Sequence, residues 1–154
     1  MNNFDLTLKE IERKLQYYCS YQDRCHKEVI EKLKTYKIKS SDLNQIVSNL
    51  INKNFLNESR FSKSFVRGKF NIKNWGKLRI ENELKKRNIS SYNISLGMKE
   101  IDEIDYHKKL DLIFNKKLSS LDRINTISKK KKIISYLTYR GWESNLIYDK
   151  INEI

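Results

Sequence analysis

The chain has 154 residues, of which 33% are charged and 38% hydrophobic, and its formal net charge is +13 at pH 7. It contains no proline and only four glycines, so it lacks the turn residues that a β-rich protein needs about every 8–12 positions. No run approaches the ~18 consecutive apolar residues of a membrane span, and the N-terminal residues lack the apolar segment of a signal peptide. We therefore expect an all-α, cytoplasmic protein that does not enter a membrane.

Apolar residues at helical spacing predict nine helices. The expected ranges are 7–19, 24–36, 41–53, 58–71, 75–87, 91–103, 105–120, 127–140 and 144–153. Offsets of 51 and then 53 residues keep six positions apolar in three copies, which indicates an internal repeat. We predict three tandem three-helix repeats at residues 1–55, 56–104 and 105–154. Because units of this size barely close their own cores, they should stack into an elongated, curved array.

Serine occupies an equivalent position in each copy, at Ser40, Ser91 and Ser144. Each lies where a predicted helix begins, and a serine hydroxyl can accept an unpaired N–H of the first helical turn, so we expect three N-caps. In the middle copy, Asn74 is the expected N-cap of the fifth helix. Gly76 would then lie in its first turn, and we expect Trp75 and Gly76 to form a packing joint between two helices of the middle repeat, with Trp75 as scaffold and not as a ligand contact.

The positive charge is concentrated in residues 57–90, which hold ten basic and three acidic residues. On the predicted helix 58–71, Phe61 and Phe65 share one face and should pack in the core, while basic residues lie on a neighbouring face. A basic surface attracts phosphate or an acidic protein, although a solvated basic face is the alternative. The candidate contact residues of this region are Arg60, Lys63, Arg67, Lys69, Lys73, Lys77 and Arg79.

A second basic run opens the predicted helix 127–140. It consists of Lys129, Lys130, Lys131 and Lys132. Positive charge at the start of a helix opposes the helix dipole, which suggests that an external anion binds there. A solvated face is again the alternative.

Neither catalysis nor metal binding is indicated by the sequence. Glycine-rich phosphate loops and the familiar nucleophile motifs are absent. Cys19, Cys25 and His26 form the only metal-like group and lack a fourth ligand, so structural cysteines are favoured. The acids within residues 102–105 fit the positive end of the seventh helix. We expect a protein without enzyme activity, cofactor or metal.

Two motifs of the middle copy carry a family resemblance. Residues 58–61 read Glu-Ser-Arg-Phe, and residues 75–89 combine Trp-Gly with a basic helix that ends in Asn-Ile. Together they resemble the RecX family of recombination regulators, in which alanine is typical at Ser62 and glycine at Asn88. Asparagine still tolerates the left-handed conformation of a helix end. In the third copy, residues 140–142 (Arg-Gly-Trp) are the clearest point of similarity.

The resemblance implies a crescent of nine helices that works by binding rather than catalysis. RecX proteins bind the RecA recombinase, and the family is taken to lodge in the groove of the RecA–DNA filament and to limit filament growth and strand exchange. The implied partners are RecA and its filament on single-stranded DNA, with direct DNA contact left open and a monomer expected. The alternative is a helical DNA-binding protein that acts without RecA. A small enzyme is a third hypothesis, for which the sequence offers no residues.

Overall fold

The computed structural model describes residues 6–154, and this part of the chain contains nine α-helices and no β-strand. The helices are α1 Leu8–Tyr21, α2 His26–Lys34, α3 Ser40–Asn52, α4 Glu58–Asn71, α5 Lys77–Lys86, α6 Ser91–Met98, α7 Glu103–Ser119, α8 Thr126–Tyr139 and α9 Ser144–Ile151. The all-α prediction is confirmed. The first five residues of the predicted repeat 1–55 lie outside the described residues.

Helix α4 begins and ends where the sequence predicts, whereas α6 ends five residues before the predicted 103. The carboxylate of Asp102 accepts the N–H of Asp105 at 3.2 Å and so caps α7. Ile101, in the turn between α6 and α7, is buried in the core. The chain therefore leaves α6 early because a strong N-cap and a buried isoleucine define a new helix.

The expected N-caps at the aligned serines are wrong by one residue. Ser40, Ser91 and Ser144 are the first residues of α3, α6 and α9, and the cap positions before them are residues 39, 90 and 143. Among these three caps, only Ser90 accepts a backbone N–H with its side chain, that of Asn93 at 3.2 Å. The aligned serines thus occupy equivalent positions in three helices, but none of them is the cap residue.

Asn74 is likewise not the N-cap of α5. Its φ is +60°, and Gly76 holds the cap position with φ −80° and ψ 171°. Asparagine adopts the left-handed region more readily than most residues, and the turn that results directs Gly76 toward α8. Asn88, with φ +58°, follows α5 in the left-handed conformation that its sequence position predicts.

The buried side chains form two clusters rather than three. Helices α1–α3 share one cluster with Leu56, and helices α4–α9 share the other. Cys25, which precedes α2, belongs to the second cluster and is fully buried there. The division into three repeats stays a prediction, while α4–α9 pack around a single continuous core.

Small residues let α4 and α6 approach closely. A Cβ added to Gly97 would lie 3.0 Å from the backbone oxygen of Ser62, and Ser62 itself is fully buried. Helix backbones come this close only where side chains are short. Serine therefore satisfies the steric requirement at the position where the RecX family typically has alanine.

The tightest joint of the structure lies between the start of α5 and the end of α8. The N–H of Gly76 donates to the carbonyl of Arg140 at 2.8 Å, and the N–H of Leu78 donates to that of Gly141 at 3.0 Å. A Cβ on Gly76 would stand 2.5 Å from the Gly141 oxygen. Only glycine permits this approach. Gly76 therefore does form a packing joint, but its partner is the end of α8 in the third predicted repeat, and not a second helix of the middle repeat as expected.

Aromatic packing surrounds this joint. The Trp142 indole donates from Nε1 to the carbonyl of Asn74 at 3.1 Å, and its ring stacks on Tyr106 with centroids 4.5 Å apart. The Tyr106 hydroxyl donates to the Glu143 carboxylate and accepts the N–H of Lys77 at 2.9 Å. Burial, reinforced by the hydrogen bond to Glu143, raises the pKa of Tyr106 well above its ordinary value.

The chain exposes 9807 Å² of surface. A compact globular protein of 18.6 kDa would expose about 8,200 Å². The exposed surface is thus larger by roughly a fifth, as expected for a chain that is less compact than a typical globular domain.

Replacing Gly141 by alanine should destabilise the fold strongly. The new Cβ would overlap the Cβ of Arg79, and the φ of Gly141, +87°, lies in the left-handed region. We expect the free energy of unfolding to fall by about 2–4 kcal/mol, measured by urea unfolding followed through helical circular dichroism.

Gly68→Ala is the matched control. A Cβ at Gly68 meets no atom within 4 Å, and Gly68 lies inside α4, so alanine there should stabilise the protein by roughly 0.5–1 kcal/mol. Equal midpoints for Gly141→Ala and the unaltered protein would contradict the close approach of the two backbones.

Candidate partner interface

Phe65 and Trp75 form the centre of an aromatic and basic surface. Their ring centroids lie 6.4 Å apart in an edge-on arrangement, and Phe65 also packs on buried Phe61 at 5.6 Å. The Lys69 ammonium lies over both rings, 5.4 Å from the Phe65 centroid and 4.9 Å from that of Trp75. Both rings thus pack against the core, and a cation lies over each of them.

Two arginines extend this arrangement in opposite directions. The guanidinium carbon of Arg79 is 4.1 Å from the Trp75 centroid and 4.7 Å from that of Tyr139 on α8, and Arg79 also donates to the Tyr139 carbonyl at 3.2 Å. Arg87 lies 4.8 Å over Phe65 and is held by Glu83 at 2.9 Å. The surface therefore continues across the joint between α5 and α8.

A third aromatic centre lies at the end of α8. The Arg140 guanidinium is 3.7 Å from the Tyr136 centroid, and the Lys117 ammonium is 4.8 Å from it. Tyr136 and the largely exposed Tyr139 line one groove of about 470 Å³. The other residues that line it are Lys117, Leu121, Lys131, Lys132, Ser135 and Arg140.

We call this continuous surface the cation–aromatic track. It consists of Phe65, Lys69, Trp75, Arg79, Arg87, Lys117, Tyr136, Tyr139 and Arg140. Alternating planar rings and cations suit phosphate and nucleobase together, since cations pair with phosphate and rings with bases. They also suit an acidic protein surface.

The electrostatics of the track show cations held close together. Burial first, and then the charges of Lys73, Arg87 and Arg79, lower the pKa of Lys69. The hydrogen bond from Arg87 lowers the pKa of Glu83, a nearby carboxylate that partly offsets this charge. Like charges placed together disfavour the charged form, and a bound anion would relieve that repulsion.

The sequence-predicted residues separate into three groups in the structure. Five of them are at the track. Lys69 and Arg79 belong to it, Lys131 and Lys132 line its α8 groove, and the charge of Lys73 acts on Lys69. Arg60, Arg67 and Lys77 instead contact the carboxylates of Asp23, Glu100 and Glu103. The half-buried remainder, Lys63, Lys129 and Lys130, contributes to none of the ring contacts. The structure thus concentrates the prediction on fewer residues.

Arg60 in particular has structural partners. Its Nε donates to Asp23 at 2.7 Å, and its Nη2 donates to the carbonyls of Asn54 and Phe55 at 3.1 and 3.2 Å. It ties α4 to the turn before α2. The lysine run at 129–132 begins at the fourth residue of α8, beyond the first three residues of the helix, and Asn125 accepts the N–H of Ser128 there at 2.9 Å. The opposition of the run to the helix dipole is therefore weaker than expected.

Sequence reasoning missed Arg87 and Tyr136, and it could name Tyr139 only as one of several aromatic residues able to stack on bases. Arg87 stands at the end of a basic run in the second motif, and its spacing of four from Glu83 is the one available signal. Tyr136 and Tyr139 are ordinary members of a helix in sequence, and only the fold brings Tyr139 to Arg79. Trp75, expected to be scaffold alone, is half-buried and carries two cations on its ring.

Known proteins share both the sequence and the fold. Residues 57–98 match the family model described as RecX, second three-helix domain. The resemblance to the RecX family is confirmed. The RecX-matched segment spans α4–α6 and contains five members of the track, namely Phe65, Lys69, Trp75, Arg79 and Arg87.

Relatives named Regulatory protein RecX match most of the chain. The one from Streptococcus agalactiae is 27% identical over 138 residues, which cover 90% of this chain and 53% of that protein. The one from Finegoldia magna is 28% identical, covering 89% of this chain and 66% of that protein. The chain thus spans about half to two thirds of the length of these relatives. The crystal structure of RecX from Lactobacillus salivarius shares the fold, with a TM-score of 0.81, 23% identity and 95% coverage of both chains.

Other kinds of site are less developed in residues 6–154. Within this range, no three or more histidines, cysteines or acids are grouped to hold a metal ion. Cys19 and Cys25 are free and buried, and burial raises the pKa of Cys25 to about 11, which makes it a poor nucleophile. No helix of the described residues has the length and apolar character to span a bilayer.

Trp75 fluorescence should report the positive charge of the track. Because Lys69 and Arg79 lie over its ring, we expect iodide to quench it strongly and caesium weakly, whereas buried Trp142 should respond to neither. The iodide-sensitive emission should disappear in Trp75→Phe and decline in Lys69→Ala. Equal quenching by iodide and caesium would contradict this electrostatic environment.

Proposed function

We propose that this chain regulates recombination by binding RecA filaments on single-stranded DNA, with the cation–aromatic track as its contact surface. The observation that carries the proposal is the match of residues 57–98 to a RecX domain, on the same helices that hold most of the track. The RecX resemblance implies that binding in the filament groove limits filament growth, ATP hydrolysis and strand exchange. The chain would act as a monomer in the cytoplasm, by occupancy and not by catalysis.

The charge and geometry of the track support a nucleoprotein partner. A filament groove presents phosphate beside protein. The cations of the track can pair with the phosphate, and its half-buried rings can pack against the protein. Its residues come from α4 and α5 on one side of the joint and from α7 and α8 on the other, so that one long surface faces the partner. A long surface suits a filament better than a small molecule.

The alternative is direct action on DNA without RecA. Rings interleaved with cations are also the features of proteins that bind single strands, so the track itself favours this second function. The two functions differ in whether RecA is required. Binding to bare DNA that equals binding to filaments would favour the alternative.

A charge-reversal pair tests the proposed surface. Lys73→Glu with Lys132→Glu changes two exposed lysines beside the track and should weaken co-sedimentation with RecA filaments by at least about fivefold, since two charge-assisted contacts are lost. Inhibition of RecA ATP hydrolysis on single-stranded DNA should need correspondingly more protein.

The matched control is Lys99→Glu with Lys108→Glu. These lysines are also exposed and belong to none of the track contacts, and the substitution changes the net charge equally. Its binding should stay within about twofold of the unaltered protein, because remote surface charges are screened. An equal loss in both variants would indicate general electrostatic attraction, and unchanged ATP hydrolysis at excess unaltered protein would overturn the proposed function.

A further inference from the structure

Helix α1 carries a second aromatic surface that the track does not include. Its buried stripe consists of Ile11, Leu15 and Cys19, which is sufficient to anchor the helix. On the opposite side, the Tyr17 and Tyr21 side chains are 72% and 74% exposed. Two large rings one helical turn apart thus face solvent without contributing to the core.

The neighbouring Tyr18 is fixed by cations. The Arg24 guanidinium lies 3.8 Å from its ring centroid, and Arg24 Nε donates to the Tyr18 carbonyl at 3.1 Å. Arg24 is oriented in turn by Glu28, at 3.6 Å, and the Lys32 ammonium lies 5.9 Å from the same ring. A guanidinium held over a ring by a hydrogen bond and an ion pair is pre-organised, so little side-chain entropy remains to be lost on binding.

These residues line one groove of about 570 Å³ between α1 and α2. Its lining is Arg13, Lys14, Tyr17, Tyr18, Tyr21, Arg24, Lys32 and Tyr36. These described lining residues comprise four cations and four tyrosines, and none of them is acidic. The groove shares no residue with the cation–aromatic track.

We propose that this groove binds single-stranded nucleic acid. Exposed rings provide faces on which unpaired bases stack, and the surrounding cations neutralise the phosphates between them. A duplex keeps its bases stacked inside and would use only the cations. An acidic polypeptide would also use the cations, but its carboxylates would leave the Tyr17 and Tyr21 faces unoccupied, so the combination favours a single strand.

The inference goes beyond the proposed function and does not depend on it, because it needs neither RecA nor the track. A site-specific measurement separates the two surfaces. Bromodeoxyuridine in an oligothymidylate longer than the ~4–16 nucleotides of a single-strand site crosslinks to stacked aromatic side chains under ultraviolet light. Trypsin then releases residues 15–24, which hold three of the tyrosines, for mass spectrometry.

We expect crosslinks within residues 15–24, and we expect Tyr17→Ser with Tyr21→Ser to reduce their yield at least about fivefold. Tyr17→Phe with Tyr21→Phe should retain the yield, since the rings remain. Tyr92→Ser with Tyr148→Ser removes two other exposed tyrosines and should also leave it unchanged.

Three outcomes would overturn the proposal. Crosslinks confined to other segments would show that the groove does not hold the strand. Equal competition by duplex DNA would indicate phosphate contact without stacking. In the third outcome, polyglutamate displaces the bromodeoxyuridine strand at a lower concentration of negative charge than unlabelled oligothymidylate requires. That result would assign the groove to an acidic protein. Loss of RecA regulation with the crosslinks intact would affect the proposed function alone.

Discussion

The close approach of two glycine backbones is the constraint on which the rest of the structure depends. Gly76 and Gly141 leave no room for a Cβ, and the N–H groups of Gly76 and Leu78 donate to the carbonyls of Arg140 and Gly141. Because the backbones meet there, Arg79 reaches both Trp75 before its own helix and Tyr139 on α8. The track is continuous only while this joint is closed, so packing at two small residues determines a surface that extends well beyond them.

The joint between α1–α3 and the remaining helices is chemically different. It uses the ion pair of Arg60 with Asp23 at 2.7 Å, the contact of His26 with Glu58 at 3.5 Å and a hydrogen bond from Lys27 to the Lys86 carbonyl. Partly exposed ion pairs contribute about 0–1 kcal/mol each, whereas buried aromatic stacking and backbone bonds resist both salt and water. Helices α4–α9 therefore form the more strongly coupled body, and the tyrosine groove of α1 and α2 is joined to it through these polar contacts and through buried Cys25.

Local patterns predicted what depends on local physics. The bounds of α4, the left-handed Asn88 and the packing role of Gly76 follow from helical periodicity, helix-end chemistry and the scarcity of glycine in the sequence. The N-caps differ from the expectation because a serine at the first helical position cannot be told from a serine at the cap in a sequence.

The track could be predicted only in part. Lys69 and Arg79 lie in an evidently basic segment, but Tyr139 is 60 residues from Arg79, and no spacing rule relates residues that distant. Arg60 shows the converse, since a basic residue in a basic run proved to be tied to Asp23 and two carbonyls.

The α5–α8 joint should stay closed in solution and so keep the track continuous. Amide hydrogen exchange measured by NMR tests it most directly. N–H groups of a first helical turn normally exchange quickly, because they lack partners. Those of Gly76 and Leu78 donate across the joint, so they should be protected about as well as the amide of Ile80 in the core of α5. Exchange of the Gly76 and Leu78 amides as fast as that of the free first-turn amide of Ser91 would contradict the claim.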